Sequence, residues 1–142
     1  MDLPPLLIQT AGSLVAILAL AGLARWMKLG SAPRIENAAD ASRAAHLVED
    51  GFTPVDSACD AAGAGALVRD AQGRIMVIRR HGNHWAGRVL TPQARATCES
   101  HPGNGTIVID CGETRFGRTV LTIPDPETWA AAINRVKDAH NA

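Results

Sequence analysis

Two pairs of histidine and cysteine side chains have a spacing that is found in zinc sites. His81 and His84 are three positions apart, and so are Cys98 and His101. Zinc takes four nitrogen or sulfur ligands in tetrahedral geometry, and ligand pairs on turns supply them readily. These pairs are not Cys-x2-Cys knuckles, however, and His84 is expected to begin a strand. We therefore predict that the protein needs no metal ion or other cofactor, and these four residues are the ligands to test should a metal bind.

Cys98 beside His101 is also the best candidate for a thiolate nucleophile, because an imidazole can accept the thiol proton. No third group can be assigned to orient that imidazole. The sequence contains no Gly-x-Ser-x-Gly, no P-loop and no GxGxxG turn. We therefore predict that the protein is not an enzyme.

The strongest remaining signal is a run of arginines. Six arginines lie between positions 69 and 95, and Asp70 is the only acidic residue there. Guanidinium groups pair bidentately with carboxylate or phosphate. The predicted binding residues, for a protein partner or a lipid, are Arg74, Arg79, Arg80 and Arg88. This prediction assumes that Arg74 and Arg80 share an exposed face; the alternative is a solvated surface balanced by the acids of residues 36–60.

The charge of the whole chain limits the partners. The 142 residues include 14 Lys and Arg and 14 Asp and Glu, so the formal net charge is zero. A balanced chain is not a generally basic nucleic-acid binder, and no nucleic-acid partner is predicted. The three cysteines are an odd number and do not indicate a disulfide framework.

The N-terminal region predicts a membrane anchor over residues 1–29. Residues 3–24 carry no charged side chain. A helix of that length spans about 33 Å, against a hydrocarbon core of roughly 30 Å. A cleaved signal peptide is the alternative, but it requires a basic n-region and a shorter apolar core. Only Asp2 is charged before the apolar stretch, so retention as an anchor is favoured.

The flanking charges predict the orientation of this anchor. Arg25, Lys28 and Arg34 follow the span, and no Lys or Arg precedes it. The positive-inside rule then places the N-terminus outside and the following domain in the cytoplasm, at the inner membrane of a bacterium. Gly12 and Ala16 lie on one stripe of small residues that predicts helix packing in the membrane, unless the stripe only reflects an Ala- and Gly-rich composition.

A linker and a short helix are predicted for residues 30–51. Gly30 to Pro33 form the linker, and the helix is capped by Asn37 or Asp40. Its apolar stripe consists mainly of alanine. We therefore expect a peripheral helix that buries little surface and stays close to the membrane.

Residues 52–142 predict an α+β domain. Period-two hydrophobicity indicates six strands, and Thr91–Cys98 is ambiguous because Pro92 weakens a strand. The predicted strands are Val55–Cys59, Ala64–Arg69, Arg74–Arg80, His84–Leu90, Thr106–Cys111 and Phe116–Ile123. We expect one antiparallel sheet of six or seven strands.

The C-terminal helix is predicted from Asp125, as N-cap, to about residue 139. Trp129, Ile133 and Val136 recur at i, i+4 and i+7 and form one apolar face. Trp129 is therefore expected to be buried against the sheet.

This order of elements resembles that of PH-like domains. The chain resembles small bacterial membrane-anchored proteins with a PH-like domain, and GALVRDAQGRIMVIRRHGNHWAGR is similar to single-pass proteins of alphaproteobacteria. Over residues 52–139, the resemblance implies a β-roll or partial barrel that the C-terminal helix plugs at one end.

These observations predict a non-enzymatic, membrane-anchored interaction module. It is expected to be an accessory or scaffolding subunit that contacts other membrane proteins through its helix and its arginines. One alternative is a cytoplasmic-face sensor of anionic lipid or of a small ligand. A second alternative is a Cys/His metal-binding protein.

Overall fold

The computed structural model describes residues 2–27 and 32–140, with side chains along the last helix described as far as Val136. The chain divides into two compact units, Met1–Ala32 and Pro33–Ala142. Lys28, which contributes to the predicted orientation, and linker residues Gly30 and Ser31 lie outside the described residues.

The first unit contains the apolar helix α1 (Pro5–Trp26). Pro4 and Pro5 suit its start, where the missing N–H would have no partner in the helix. The hydroxyl of Thr10 donates to the carbonyl oxygen of Leu6 at 2.8 Å, so this polar group is satisfied within the helix. No residue of α1 is buried, and the helix is long and apolar enough to cross a membrane.

The second unit contains two helices and seven strands, whose order is α2, β1 to β7, then α3. The helices are α2 (Ala38–Val48) and α3 (Pro126–His140). The strands are β1 (Pro54–Cys59), β2 (Gly65–Asp70), β3 (Ile75–His81), β4 (His84–Val89), β5 (Arg95–Ser100), β6 (Gly105–Asp110) and β7 (Arg118–Ile123). The α+β class is confirmed.

The strands form two antiparallel sheets, β1-β2-β3-β4 and β5-β6-β7. The expectation of a single sheet is therefore wrong. The ambiguous stretch explains the break, because the Ala94 N–H donates to the Thr91 carbonyl at 3.0 Å and makes a tight turn around Pro92. The chain leaves β4 through this turn and begins β5 in the second sheet.

The main core lies between the two sheets and α3. Leu67, Val77, Ile107 and Ile109 are among its fully buried side chains. Trp129 is 8% exposed, which confirms the predicted burial of this side chain. The side-chain amide of Asn134 fastens α3 to β5: it accepts from the Ala96 N–H and donates to the Ala96 carbonyl, each at 3.0 Å.

A second core lies under α2, on the other face of the four-stranded sheet. Ala41, Ala44 and Ala45 pack there with Phe52 and Met76. The expectation that α2 buries little and stays peripheral is therefore wrong. Small alanines let a helix approach a sheet closely, and α2 belongs to the same compact unit as the strands.

The close packing of α2 also depends on a glycine in β4. A Cβ atom on Gly87 would lie 2.9 Å from Cγ1 of Val48, which is too close for an unperturbed contact. Asn37 caps the helix as predicted, since its side chain accepts from the Asp40 N–H at 2.9 Å. Because α2 covers one face of the sheet and the main core covers the other, β2 and β3 are buried on both faces.

Candidate functional site

The turn between β2 and β3 is built around a buried carboxylate. The Asp70 side chain is only 2% exposed. It accepts from the backbone N–H groups of Gln72 and Arg74 at 3.1 and 2.8 Å, and from Nε of Arg74 at 2.6 Å. Gly73 supplies the positive φ of 83° that closes the turn. Asp70 thus fixes both the backbone and the guanidinium of Arg74.

A groove of about 400 Å³ lies between this turn and α3, and we call it the α3 groove. Its apolar lining consists of Ile75, Leu90, Ala132 and Val136. Arg69, Arg74 and Arg135 also line it. The groove therefore combines apolar surface with three cationic side chains from β2, the turn and α3.

The groove has a definite direction along the helix. Thr128, Ala132 and Val136 follow one another at intervals of four residues on the face of α3 that lines it. At 1.5 Å per residue this stripe is about 12 Å long. Three or four residues of an extended chain cover the same distance.

The three groove arginines are held in place by contacts within the domain. Nη2 of Arg69 lies 2.9 Å from Oδ2 of Asp56, and its guanidinium lies 5.8 Å from the centre of the Trp129 ring. The Arg74 guanidinium lies 5.2 Å from the ring of Phe52. Nε of Arg135 donates to its own helix at 3.3 Å. Each arginine uses only part of its five N–H donors in these hydrogen bonds, so donors remain for a ligand.

A second group of arginines surrounds Phe116, which is 4% exposed. The guanidinium carbons of Arg79 and Arg88 lie 4.2 and 5.1 Å from the centre of its ring. Arg88 also pairs with Glu113, with 2.8 Å between Nε and Oε2. Arg79 donates to the carbonyl oxygen of Arg118 at 3.3 Å. These contacts, which we call the Phe116 cluster, join the first sheet to the β6–β7 loop.

The four arginines predicted as one binding face therefore lie in three places. Arg74 belongs to the α3 groove, and Arg79 and Arg88 belong to the Phe116 cluster. Nη1 of Arg80 donates to the carbonyl oxygen of Pro33 at 2.9 Å. Arg74 precedes β3 and Arg80 lies near its far end, so the two residues are separated along the strand.

Sequence reasoning missed Arg135 and gave Arg69 no separate role. Arg69 lies inside the arginine run, but Arg135 is separated from the run by the remainder of β5, by β6 and β7, and by part of α3. Arg135 is next to Val136, at the edge of the predicted apolar face of α3, and this position was the sequence feature that could have indicated its role. Only the packing of α3 beside the β2–β3 turn brings the three groove arginines together.

The histidine and cysteine pairs lie in different parts of the fold. His81 and His84 face each other across the β3–β4 hairpin and are exposed. Cys98 lies in β5 of the other sheet, and His101 follows that strand. Within residues 2–27 and 32–140, no group of three or more His, Cys, Asp or Glu side chains is placed to hold a metal ion.

Two of the three free cysteines have thiols with a raised pKa. Burial, together with the negative charges of Glu113 and Asp110, raises the pKa of Cys111 to about 11, against the opposing effect of Arg79 and Arg88. Burial, followed by the charge of Asp40, raises the pKa of Cys59. A protonated thiol is a weak nucleophile and a weak metal ligand at neutral pH.

The membrane-packing residues predicted in α1 lie on an uncovered helix. A Cβ atom on Gly12 would meet no atom within 4 Å, and Ala16 is exposed.

Comparison with known proteins adds no family to these observations. No family model matches the chain, and no match is found among curated proteins or solved structures.

Proposed function

We propose that this protein is a single-pass, membrane-anchored interaction module without catalytic activity, acting as an accessory subunit of a membrane protein complex. The observation that carries the proposal is α1, a 22-residue apolar helix of which no residue is buried, followed in one chain by a compact domain. A helix with apolar side chains on all sides is stable in lipid and not in water.

The charges around α1 support an N-terminus outside and a domain in the cytoplasm. Arg25 lies in the last turn of α1, and Lys28 and Arg34 follow. The positive-inside rule favours the side with these residues as the cytoplasmic side. The inner membrane of a bacterium is the proposed location.

The α3 groove supports binding as the role of the domain. It presents three guanidinium groups beside apolar side chains on one accessible surface. Such a surface recognises a partner that carries both negative charge and apolar groups. An anchored domain also meets membrane partners at a raised effective concentration, so a modest intrinsic affinity is sufficient.

We further propose that the domain is a PH-like roll. Sheets of four and three strands with a C-terminal helix packed on the core between them support this identity. The helix α2, which covers the other face of the first sheet, is an addition to that arrangement.

A sensor of anionic lipid or of a small ligand is the second candidate function. Its support is the size of the α3 groove, since about 400 Å³ lies at the lower end of the range for small-molecule pockets. A sensor would bind its ligand without a protein partner, whereas an accessory subunit would remain with its complex in mild detergent.

Membrane fractionation tests the anchoring. The full chain with a C-terminal tag is expected in the membrane pellet after washing with alkaline carbonate, with an intact N-terminus by mass spectrometry. Recovery in the soluble fraction, or loss of the first residues by cleavage, would overturn it.

Orientation is tested by fusing alkaline phosphatase to the C-terminus in a bacterium. The fusion is expected to be inactive, because that enzyme requires the oxidising periplasm. An active fusion would reverse the proposed topology.

A further inference from the structure

We infer that the α3 groove binds an acidic, amphipathic peptide segment of a partner protein. Carboxylates of the segment pair with Arg69, Arg74 and Arg135, and an apolar side chain between them packs against the groove. This inference rests on the proposed function, because it names the chemistry of the partner that the module binds.

The lining of the groove is chemically complementary to such a segment. The groove floor is apolar: Ile75 is 2% exposed and Leu90 is 6% exposed. Arg69, Arg74 and Arg135 come from three separate elements and line the groove together with these side chains. A ligand that pairs with these arginines and also covers the apolar side chains must carry more than one anionic group, with an apolar group between them.

The helical wall of the groove also suits an extended segment. The stripe of Thr128, Ala132 and Val136 runs for about 12 Å along the wall of the groove, a distance that three or four residues of extended chain cover. A single phosphate would occupy only one point along this length. The elongated groove therefore favours a peptide over a lipid headgroup.

Two of the groove arginines already have acidic partners within the domain. Arg69 and Arg74 each have a carboxylate partner in the domain, Asp56 and Asp70. These two acids neutralise part of the positive charge of the groove, which weakens its attraction for any anion. They leave the remaining N–H donors of both guanidinium groups available to the weaker charge of a carboxylate.

The test uses the full chain in detergent micelles and a fluorescein-labelled peptide that alternates Glu and Leu, followed by fluorescence anisotropy. Two matched peptides, Gln alternating with Leu and Glu alternating with Ser, separate the charge from the apolar contribution. Both matched peptides are expected to bind more weakly than the Glu-Leu peptide, and weaker binding at high salt is expected as well.

Two pairs of variants locate the binding. Arg135→Gln is expected to weaken binding about two- to fivefold, as for a partly exposed ion pair. Arg115→Gln, which removes an exposed arginine outside the groove, is the control and is expected to change nothing.

Ala132→Glu places a carboxylate in the groove and is expected to weaken binding by about tenfold or more. Ala131→Glu makes the same change at an exposed neighbouring position and serves as its control.

Equal binding by each variant and its control, or equal binding of the Glu-Leu and Gln-Leu peptides, would overturn the inference. Binding of phosphatidylglycerol vesicles that depends on Arg135, without peptide binding, would also overturn it and assign the groove to lipid. If Ala132→Glu shows no thermal unfolding transition, the comparison of Arg135→Gln with Arg115→Gln decides the outcome alone.

Failure of this inference differs from failure of the proposed function. A chain that stays in carbonate-washed membranes with its complex, while all groove variants bind the peptide alike, keeps its role as a module and loses only this site. A chain recovered in the soluble fraction loses the proposed function whatever the peptide does.

Discussion

The two arginine groups of the domain, the Phe116 cluster and the α3 groove, differ in what their guanidinium groups contact. In the Phe116 cluster, Arg79 and Arg88 stack on one buried ring, and Arg88 pairs with Glu113 of the same loop. In the α3 groove, Arg69 and Arg74 also pair with acids and lie near the rings of Trp129 and Phe52, whereas Arg135 is exposed and its Nε donates to its own helix. The first group joins the first sheet to the β6–β7 loop, and the second lines a groove beside α3.

This difference teaches that the number of arginines does not define a binding surface. What matters is the set of acceptors that the fold already supplies. A guanidinium that is stacked and paired stabilises the domain by about 0.5–1 kcal/mol for each contact. One that keeps unused donors beside apolar surface is positioned to bind a partner.

The largest expected effect concerns the helix that forms one wall of the groove. Trp129→Ala removes a buried aromatic side chain between α3 and the main core, so the free energy of unfolding should fall by about 3–5 kcal/mol. Chemical denaturation of the full chain in detergent measures it. Trp26→Ala is the control, because Trp26 in α1 is 81% exposed. An unchanged transition in Trp129→Ala would show that α3 does not hold the groove in place.

A smaller loss is expected at the turn that positions Arg74. Asp70→Asn removes the charge from a buried carboxylate that accepts three hydrogen bonds, which should lower the free energy of unfolding by about 1–3 kcal/mol. Asp56→Asn, at a half-exposed partner of Arg69, should cost less than about 1 kcal/mol. If the two substitutions cost the same, the turn is not organised by Asp70.

Thiol labelling tests the burial of Cys111 and the effect of the Glu113 charge beside the Phe116 cluster. Because burial and the charge of Glu113 raise the pKa of Cys111 to about 11, only about 0.1% of this thiol is ionised at pH 8. Its reaction with iodoacetamide should be slow and should rise about tenfold per pH unit up to about pH 10. Glu113→Gln should accelerate labelling at Cys111, whereas Glu99→Gln should not.

The raised pKa of Cys111 also determines how the stability of the domain changes with pH. The folded thiol has a pKa above the ordinary value of 9.0, so its contribution to stability is complete below pH 9. That contribution is lost as the pH rises from 9 to about 11, because the unfolded thiol ionises first. Stability that increases with pH over this interval would contradict the assignment.

Much of the architecture was predictable from the sequence because local rules determine it. The long uncharged stretch predicted α1, the side chain of Asn37 capped α2, and the spacing of Trp129 and Ile133 predicted the buried face of α3. Six strands were predicted with ends that shift by one or two residues.

The division into two sheets and the position of α2 were not predictable, because both depend on long-range packing. Nothing in the alanine-rich stripe shows that Gly87, far along the chain, leaves space for Val48. For the same reason, Arg135 could not be associated with Arg74 before α3 was placed. The apolar runs of β2 and β3 did carry a signal, since a strand buried on both faces lacks alternation.

The most direct test of the account compares Arg88→Gln with Arg135→Gln in the same full chain, by unfolding and by anisotropy with the Glu-Leu peptide. Arg88→Gln should lower the free energy of unfolding by about 0.5–1 kcal/mol and leave peptide affinity unchanged. Arg135→Gln should leave stability unchanged and weaken the peptide about two- to fivefold. The reverse pattern, or the same pattern for both variants, would contradict the distinction between a structural arginine of the Phe116 cluster and a binding arginine of the α3 groove.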